Sequence, residues 1–250
     1  MKNPYRLWGA LLVVGLLVLW QVSAKAWIHS SNWPPVTEIL QALVAGLRSG
    51  ELLKVFGSTL WRMAVGLAIG SILGVLLGMA MAALPRLNAA LRPMVELLRP
   101  IPIPAVIPPL ILLLGIDNAM KVFVAAFSSF FPVLINTMGG ARAVDPTAFD
   151  VARTFQVSKV RTQIQVVFPT SLPYILAGVR TSLALSLIVS VVAEMIAGSE
   201  GIGYYIMSMQ YALRASNMYA AIFLLAATGY VLNFAMLRLE HRVLHWWHQP

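Results

Sequence analysis

"FDVARTFQVSKVRTQIQVVFP", Phe149–Pro169, is a polar interruption in a chain that otherwise has the composition of a bilayer interior. It carries Arg153, Lys159 and Arg161 against a single acid, Asp150, and it separates two long apolar runs. Just upstream, Asp145-Pro146 offers an N-cap acid followed by proline at the first helical position. Ala148, Val151, Ala152 and Phe155 then recur on one apolar helix face. Ser158 is placed to cap a second short helix, Lys159 to about Phe168, which Pro169 ends. The expectation is a compact knob of two short helices. Its apolar side needs a cover, from the chain's own helices or from a groove on another protein.

The surroundings of that knob define the class. The 250 residues are 59% hydrophobic and only 11% charged, with mean hydropathy +0.80. Soluble domains run nearer ~45–50% apolar and ~25% charged. With no cysteine, a disulfide scaffold and a thiolate metal site are both excluded. A net charge of +9 in so apolar a chain reads as basic loops flanking membrane spans rather than as a nucleic-acid surface.

A spanning helix needs ~17–25 predominantly apolar residues. Runs near that length lie at Leu7–Ala24, Met63–Pro85, Val122–Ala141, Pro173–Gly198 and Ala215–Leu237. Ile101–Ile116 is shorter and proline-rich, but Val95, Leu97 and Leu98 extend it. The expected fold is therefore an all-α integral membrane protein with six transmembrane helices. With the N-terminus inside, twelve Lys and Arg fall on the inner side and six on the outer, so both termini are expected in the cytoplasm. The opening stretch then lies in the cytoplasm, between helices 4 and 5. Lys2, Arg6, an apolar core and Ala24-Lys25-Ala26 also fit a cleaved signal peptide, although the run is long enough to be retained as a span.

Individual segments carry further signals. "PPVTEILQALVAGLRSGELLKVF", Pro34–Phe56, reads as an outer interfacial helix capped by Thr37, with Trp27 and Trp33 at headgroup level. Gly66, Gly70, Gly74 and Gly78 form a small-residue face for close helix packing, with no partner identified. Five prolines between Pro100 and Pro109 imply a kink, either structural or a hinge near a pathway. Ser182, Ser186, Ser190 and Glu194 recur at steps of four. An acid inside a span needs a partner or a watery cavity. Glu194 can line a translocation path with Ser186 and Ser190, pair with Arg62 or another cation, or sit near the outer interface. The serines can also bond back to their own helix carbonyls. His241, His245 and His248 share a face, but Trp246 and Trp247 beside them favour an interfacial anchor over a metal site.

Asp150-Val151-Ala152, Gln156, Val166, Phe168 and Pro169 have the spacing of a known motif. It resembles the EAA loop of binding-protein-dependent ABC transporter permeases: Glu-Ala-Ala, three residues, Gly, nine residues, Ile-x-Leu-Pro. Ala152 and Pro169 match strictly, and Asp150 and Val166 are conservative. Val151, Gln156 and Phe168 depart from it. "LRPIPIPAVIPPLILLLGID", "FFPVLINTMGGARAVDP" and "LPYILAGVRTSLALSLIVSVVAEMIAGSEGIGYYI" look like the nitrate/sulfonate/taurine-type members, over roughly Ser58 to Leu239.

That resemblance implies a permease subunit of an ATP-driven importer in the bacterial inner membrane. It implies a cytoplasmic ABC ATPase dimer, a periplasmic or lipid-anchored substrate-binding protein and a second permease subunit, as a homodimer, as partners. Asp150, Val151, Ala152, Phe155 and Gln156 would lie at the ATPase contact, with Pro169 setting the following turn. No glycine is followed by lysine, so the chain has no phosphate loop; ATP would be bound by the partner and no cofactor by this chain. The expected divisions are 1–57 for the first span and outer segment, 58–240 for the permease domain (coupling loop about 142–172), and 241–250 for an interfacial tail. An ATP-independent secondary carrier is the alternative, followed by an intramembrane enzyme, which lacks an HExxH pair, a cysteine nucleophile and paired aspartates within spans.

Overall fold

The structure is a computed structural model that describes residues 4–28 and 30–246. Helices are joined by short turns: α1 (Pro4–Val22), α2 (Val36–Arg48), α3 (Glu51–Ala83), α4 (Pro85–Leu98), α5 (Ile103–Leu114) and α6 (Asn118–Arg142). The chain continues through α7 (Pro146–Thr154), α8 (Lys159–Thr162), α9 (Phe168–Ala197), α10 (Ile202–Tyr211) and α11 (Ala215–Val243). Four helices are long and apolar enough to cross a membrane: α3, α6, the continuous helix Lys159–Ala197, and α11. A fifth crossing arises if α4 and α5, bent by 99° from each other, form one broken span. The amino-terminal helix α1 runs on through a π-turn, Ser23–Trp27.

The core is the α3–α6–α9 triad, and small residues explain it. A Cβ added at Gly74 would lie 2.9 Å from the Phe130 carbonyl oxygen, and one at Gly78 2.9 Å from that of Leu134. Gly66 meets the Val122 carbonyl, and Gly70 that of Ala126. Both partners advance by four residues at each step, so α3 and α6 run parallel with backbones in direct contact. On the other side of α6, Tyr174 packs on Gly140, Gly178 on Pro132 and Asn136, and Ser182 Oγ donates to the Ser129 carbonyl at 2.8 Å. Here the numbering runs in opposite directions, so α9 is antiparallel to α6. Ile107 and Leu110 of α5 close the triad against Met120, Val124, Val189 and Ala193.

Several sequence expectations change at their edges. Thr37 does not cap α2, which starts one residue earlier; Gln21 of α1 accepts from the Thr37 N–H at 3.1 Å and does the capping from outside the helix. Trp33 is an internal packing element: it stacks on Trp20 at 4.7 Å and donates to Ser23 Oγ at 3.0 Å. Trp27 is exposed. Pro169 ends no helix. The chain runs from α8 through a π-turn, Gln163–Val167, straight into α9. A proline lacks the N–H that the carbonyl four residues back needs, and the wider i→i+5 turn, closed by Phe168 N–H to the Gln163 carbonyl, lets the helix continue past that gap. Arg180 donates to Glu240 Oε2 at 3.1 Å and ties α9 to α11. His248 and Trp247 lie outside the described residues.

Candidate functional site

Two polar features sit at opposite ends of the triad. α3 spans about 30 Å between Arg62 and its last residue, close to the ~30 Å hydrocarbon thickness of a bilayer.

At one end, Glu194 is 1% exposed and fully engaged. Arg62 Nη1 donates to its Oε1 at 2.9 Å, Thr59 Oγ1 lies 2.8 Å from its Oε2, and the Gly203 N–H donates to Oε2 at 3.1 Å. Gly203 is the second residue of α10, so the carboxylate sits against that helix's N-terminal N–H groups. Gly201 has φ +107° and lies so close that any Cβ there would collide with the carboxylate. Arg62 is completed by Asn118 Oδ1 at 2.6 Å from Nε and by Glu200 Oε2 at 3.3 Å from Nη2. The node thus joins α3, α6, α9 and α10. Of the alternatives for Glu194, the Arg62 pair is the one the structure contains. Ser186 and Ser190, expected with Glu194 on a translocation path, are also sealed within the packing of α9, and Ser186 bonds back to the Leu183 carbonyl at 3.0 Å. The stripe is a helix–helix seam because its spacing of four serves packing as well as it serves a pore. Thr59, Asn118, Gly201 and Gly203 were not singled out from sequence, although the run "GSEGIG", Gly198–Gly203, one helical turn after an intramembrane acid was a usable signal.

At the other end, α7 forms the knob. Asp145 Oδ1 accepts from the Thr147 N–H at 2.8 Å, and that bond holds its carboxyl below the usual aspartate range. Pro146 follows at the first helical position, as the sequence indicates. The helix ends in a left-handed residue, Gln156, with φ +56°. Gln156 N–H reaches the Arg153 carbonyl at 2.9 Å and Val157 N–H the Ala152 carbonyl at 2.9 Å, the two bonds of a Schellman ending. Glycine is the usual residue there. Gln156 therefore makes the bend that a glycine would make.

The residues expected to lie together at a contact are divided between two sides. Ala152 is 7% exposed and floors a cleft of about 690 Å³ bordered by Leu84, Phe149, Val157 and Val160. Ala148 and Phe149 pack toward a small core of Ala141, Val144 and Val167. Val151 and Phe155, one turn apart, are 50% and 77% exposed. Asp150 and Gln156 are exposed beside them, Pro169 is half-buried, and Val160 and Ile164 are exposed on the following helix. The knob is one short helix buttressed by the end of a long one, rather than two short helices.

The chain therefore has a tightly packed helical membrane core with a capped, solvent-facing helix at one end, the architecture of a transporter's membrane component. It belongs to the family described as binding-protein-dependent transport system inner membrane component, which matches residues 70–245. It is 33% identical, over 95% of its length and 87% of the relative's, to the aliphatic sulfonates transport permease protein SsuC of Bacillus subtilis (strain 168). It is 27% identical, over 94% of its length and 87% of the relative's, to the taurine transport system permease protein TauC of Escherichia coli (strain K12). An inward-facing structure of the MetNI methionine ABC transporter shares the fold, with TM-score 0.68 and 18% identity over 77% of this chain and 96% of that one. The protein is a permease subunit of an ABC importer, a membrane component and not an enzyme.

Proposed function

We propose that this permease works as a homodimer in the bacterial inner membrane, with six spans per chain and both termini in the cytoplasm. It admits a small sulfonate, taurine or a related anion delivered by an outer substrate-binding protein. A cytoplasmic ABC ATPase dimer binds the nucleotide and drives the cycle. The knob is the handle: Val151 and Phe155 enter the ATPase surface, with Asp150 and Gln156 at the rim. The supporting observation is the division of α7 into a face held by its own chain through Ala148, Phe149 and Ala152, and a bare apolar pair one turn apart. A helix anchored on one side and bare on the other transmits force from whatever grips the bare side. The sulfonate and taurine relatives supply the cargo class.

Extraction of a tagged chain in mild detergent, followed by mass spectrometry, tests the assembly. A phosphate-loop ATPase and a binding protein should co-purify, and the binding protein's ligand would name the cargo. Recovery of the chain alone, together with uptake that persists without ATP, would favour the carrier reading.

A further inference from the structure

Outside the node and the knob, one groove combines charge and polar groups at membrane depth. A cavity of about 360 Å³ lies between α6, α9 and the bend that joins α4 to α5, and a second of about 280 Å³ adjoins it toward the knob end. Arg99 and Ile135 line both, so the two form one continuous groove along α6. Such volumes suit a small solute.

Its chemistry is specific. Arg99 stands at the bend and is exposed, and its guanidinium makes no hydrogen bond or ion pair with any described residue. The neighbouring basic side chains are engaged: Arg92 with Glu96 at 2.8 Å and Arg142 with Asn88 at 2.9 Å. Ser128, Pro132 and Asn136, at steps of four, form a polar line on α6 facing the cavity. Pro132 has no N–H to offer the Ser128 carbonyl, and the Asn136 amide donates once, to the Pro132 carbonyl at 2.8 Å, leaving a second N–H free. Phe127 and Phe131, edge-to-face at 5.1 Å, supply the apolar wall. Ser128 and Asn136 lie well inside a 25-residue helix, away from either end. Polar groups and a free cation at that depth belong to a watery cavity rather than to lipid.

We propose that this groove is the surface along which the cargo crosses, and that Arg99 selects for a small solute with an oxyanion head group. A guanidinium presents paired N–H donors matched to two oxygens of such a group. The amide of Asn136 adds a donor, and the phenyl wall takes the apolar remainder. The inference rests on the importer reading for the word cargo, but the groove's charge and wetness can be measured separately.

Because the chain contains no cysteine, a single introduced thiol is a clean reporter. Ile135→Cys places one on the wall shared by both cavities. In the assembled transporter in native membranes, this thiol should react with sulfonate-bearing methanethiosulfonate ethylsulfonate about tenfold faster than with its trimethylammonium counterpart. Arg99→Gln should abolish that preference and Arg99→Lys preserve it, which separates lost charge from misfolding. Equal rates for the two reagents, no reaction with either, or a preference that survives Arg99→Gln would each overturn the proposal. ATP-driven uptake of labelled taurine and nitrate is scored in parallel. Its absence in the parent protein would count against these anions as the cargo and leave the labelling result standing.

Discussion

Arg62 on α3 and Glu194 on α9 meet at 2.9 Å across 132 positions of sequence, both nearly inaccessible to solvent. The pair closes one end of the helical triad. Because the carboxylate also accepts from Gly203, it fixes where α10 begins.

Removing one partner should therefore cost far more than removing a surface ion pair. Glu194→Gln leaves the Arg62 charge buried with Ser58, Asn118 and the exposed Glu200 to face it. We expect a loss on the order of 3–5 kcal/mol, read as a lowered thermal midpoint in detergent. A fall no larger than that of Arg92→Gln, which breaks an exposed pair, would refute the role of the node.

The glycine seam makes a second prediction. Gly74→Ala drives a methyl into the Phe130 carbonyl and should destabilise by roughly 1–3 kcal/mol. Gly57→Ala on the same helix meets nothing within 4 Å and should be neutral or stabilising by up to about 1 kcal/mol. Comparing their melting temperatures isolates the α3–α6 contact from helix propensity.

For the knob, position on the helix decides the phenotype. Val151→Glu and Phe155→Glu alter only the exposed strip, so we expect intact insertion and stability with ATP-driven uptake reduced at least ~10-fold, the cost of losing one apolar anchor. Ala152→Glu pushes a carboxylate into the chain's own cleft and should lower stability as well. Uptake unaffected by either exposed substitution would remove the handle reading.

Gln156 tests backbone strain. A non-glycine residue in the left-handed region costs about 1 kcal/mol relative to glycine. Gln156→Gly should slow amide exchange over α7 while transport persists, whereas the β-branched Gln156→Val should accelerate it. Equal exchange in both variants would mean the bend carries no strain.

The acid that starts α7 adds a pH dependence. Its folded value is depressed by the Thr147 N–H, so its support is in place above the ordinary aspartate range. That support is lost as the pH falls through the lowered folded value. Exchange at the first turn of α7 should rise in that acid window and not between neutral pH and the ordinary aspartate value, and Asp145→Ala should show the faster exchange at neutral pH and lose that difference in the acid window.

Much of this was local and so readable in advance. The apolar runs follow from the cost of bare backbone in lipid, and the Asp145-Pro146 start follows from the orphan N–H groups of a helix end. The glycine stripe announced a close approach because nothing larger fits there. What stayed hidden was pairwise. Periodicity shows that a face will be buried but not against which helix, so α6 as the partner of Gly66–Gly78, and its parallel course, appear only in the fold. Pro169 was misread for a related reason: the π-turn that carries the helix past it has no strong local signal.

The sequence alone determined that the protein is a helical membrane permease, with a capped polar helix between its spans. The tertiary structure decided that Glu194 pairs with Arg62 and locks the start of α10, and that Ala152 turns inward while Val151 and Phe155 turn out. The physical reason is the same in each case. Charge, size and spacing fix what a side chain requires, but the group that meets the requirement stands on another helix, and only packing brings the two together.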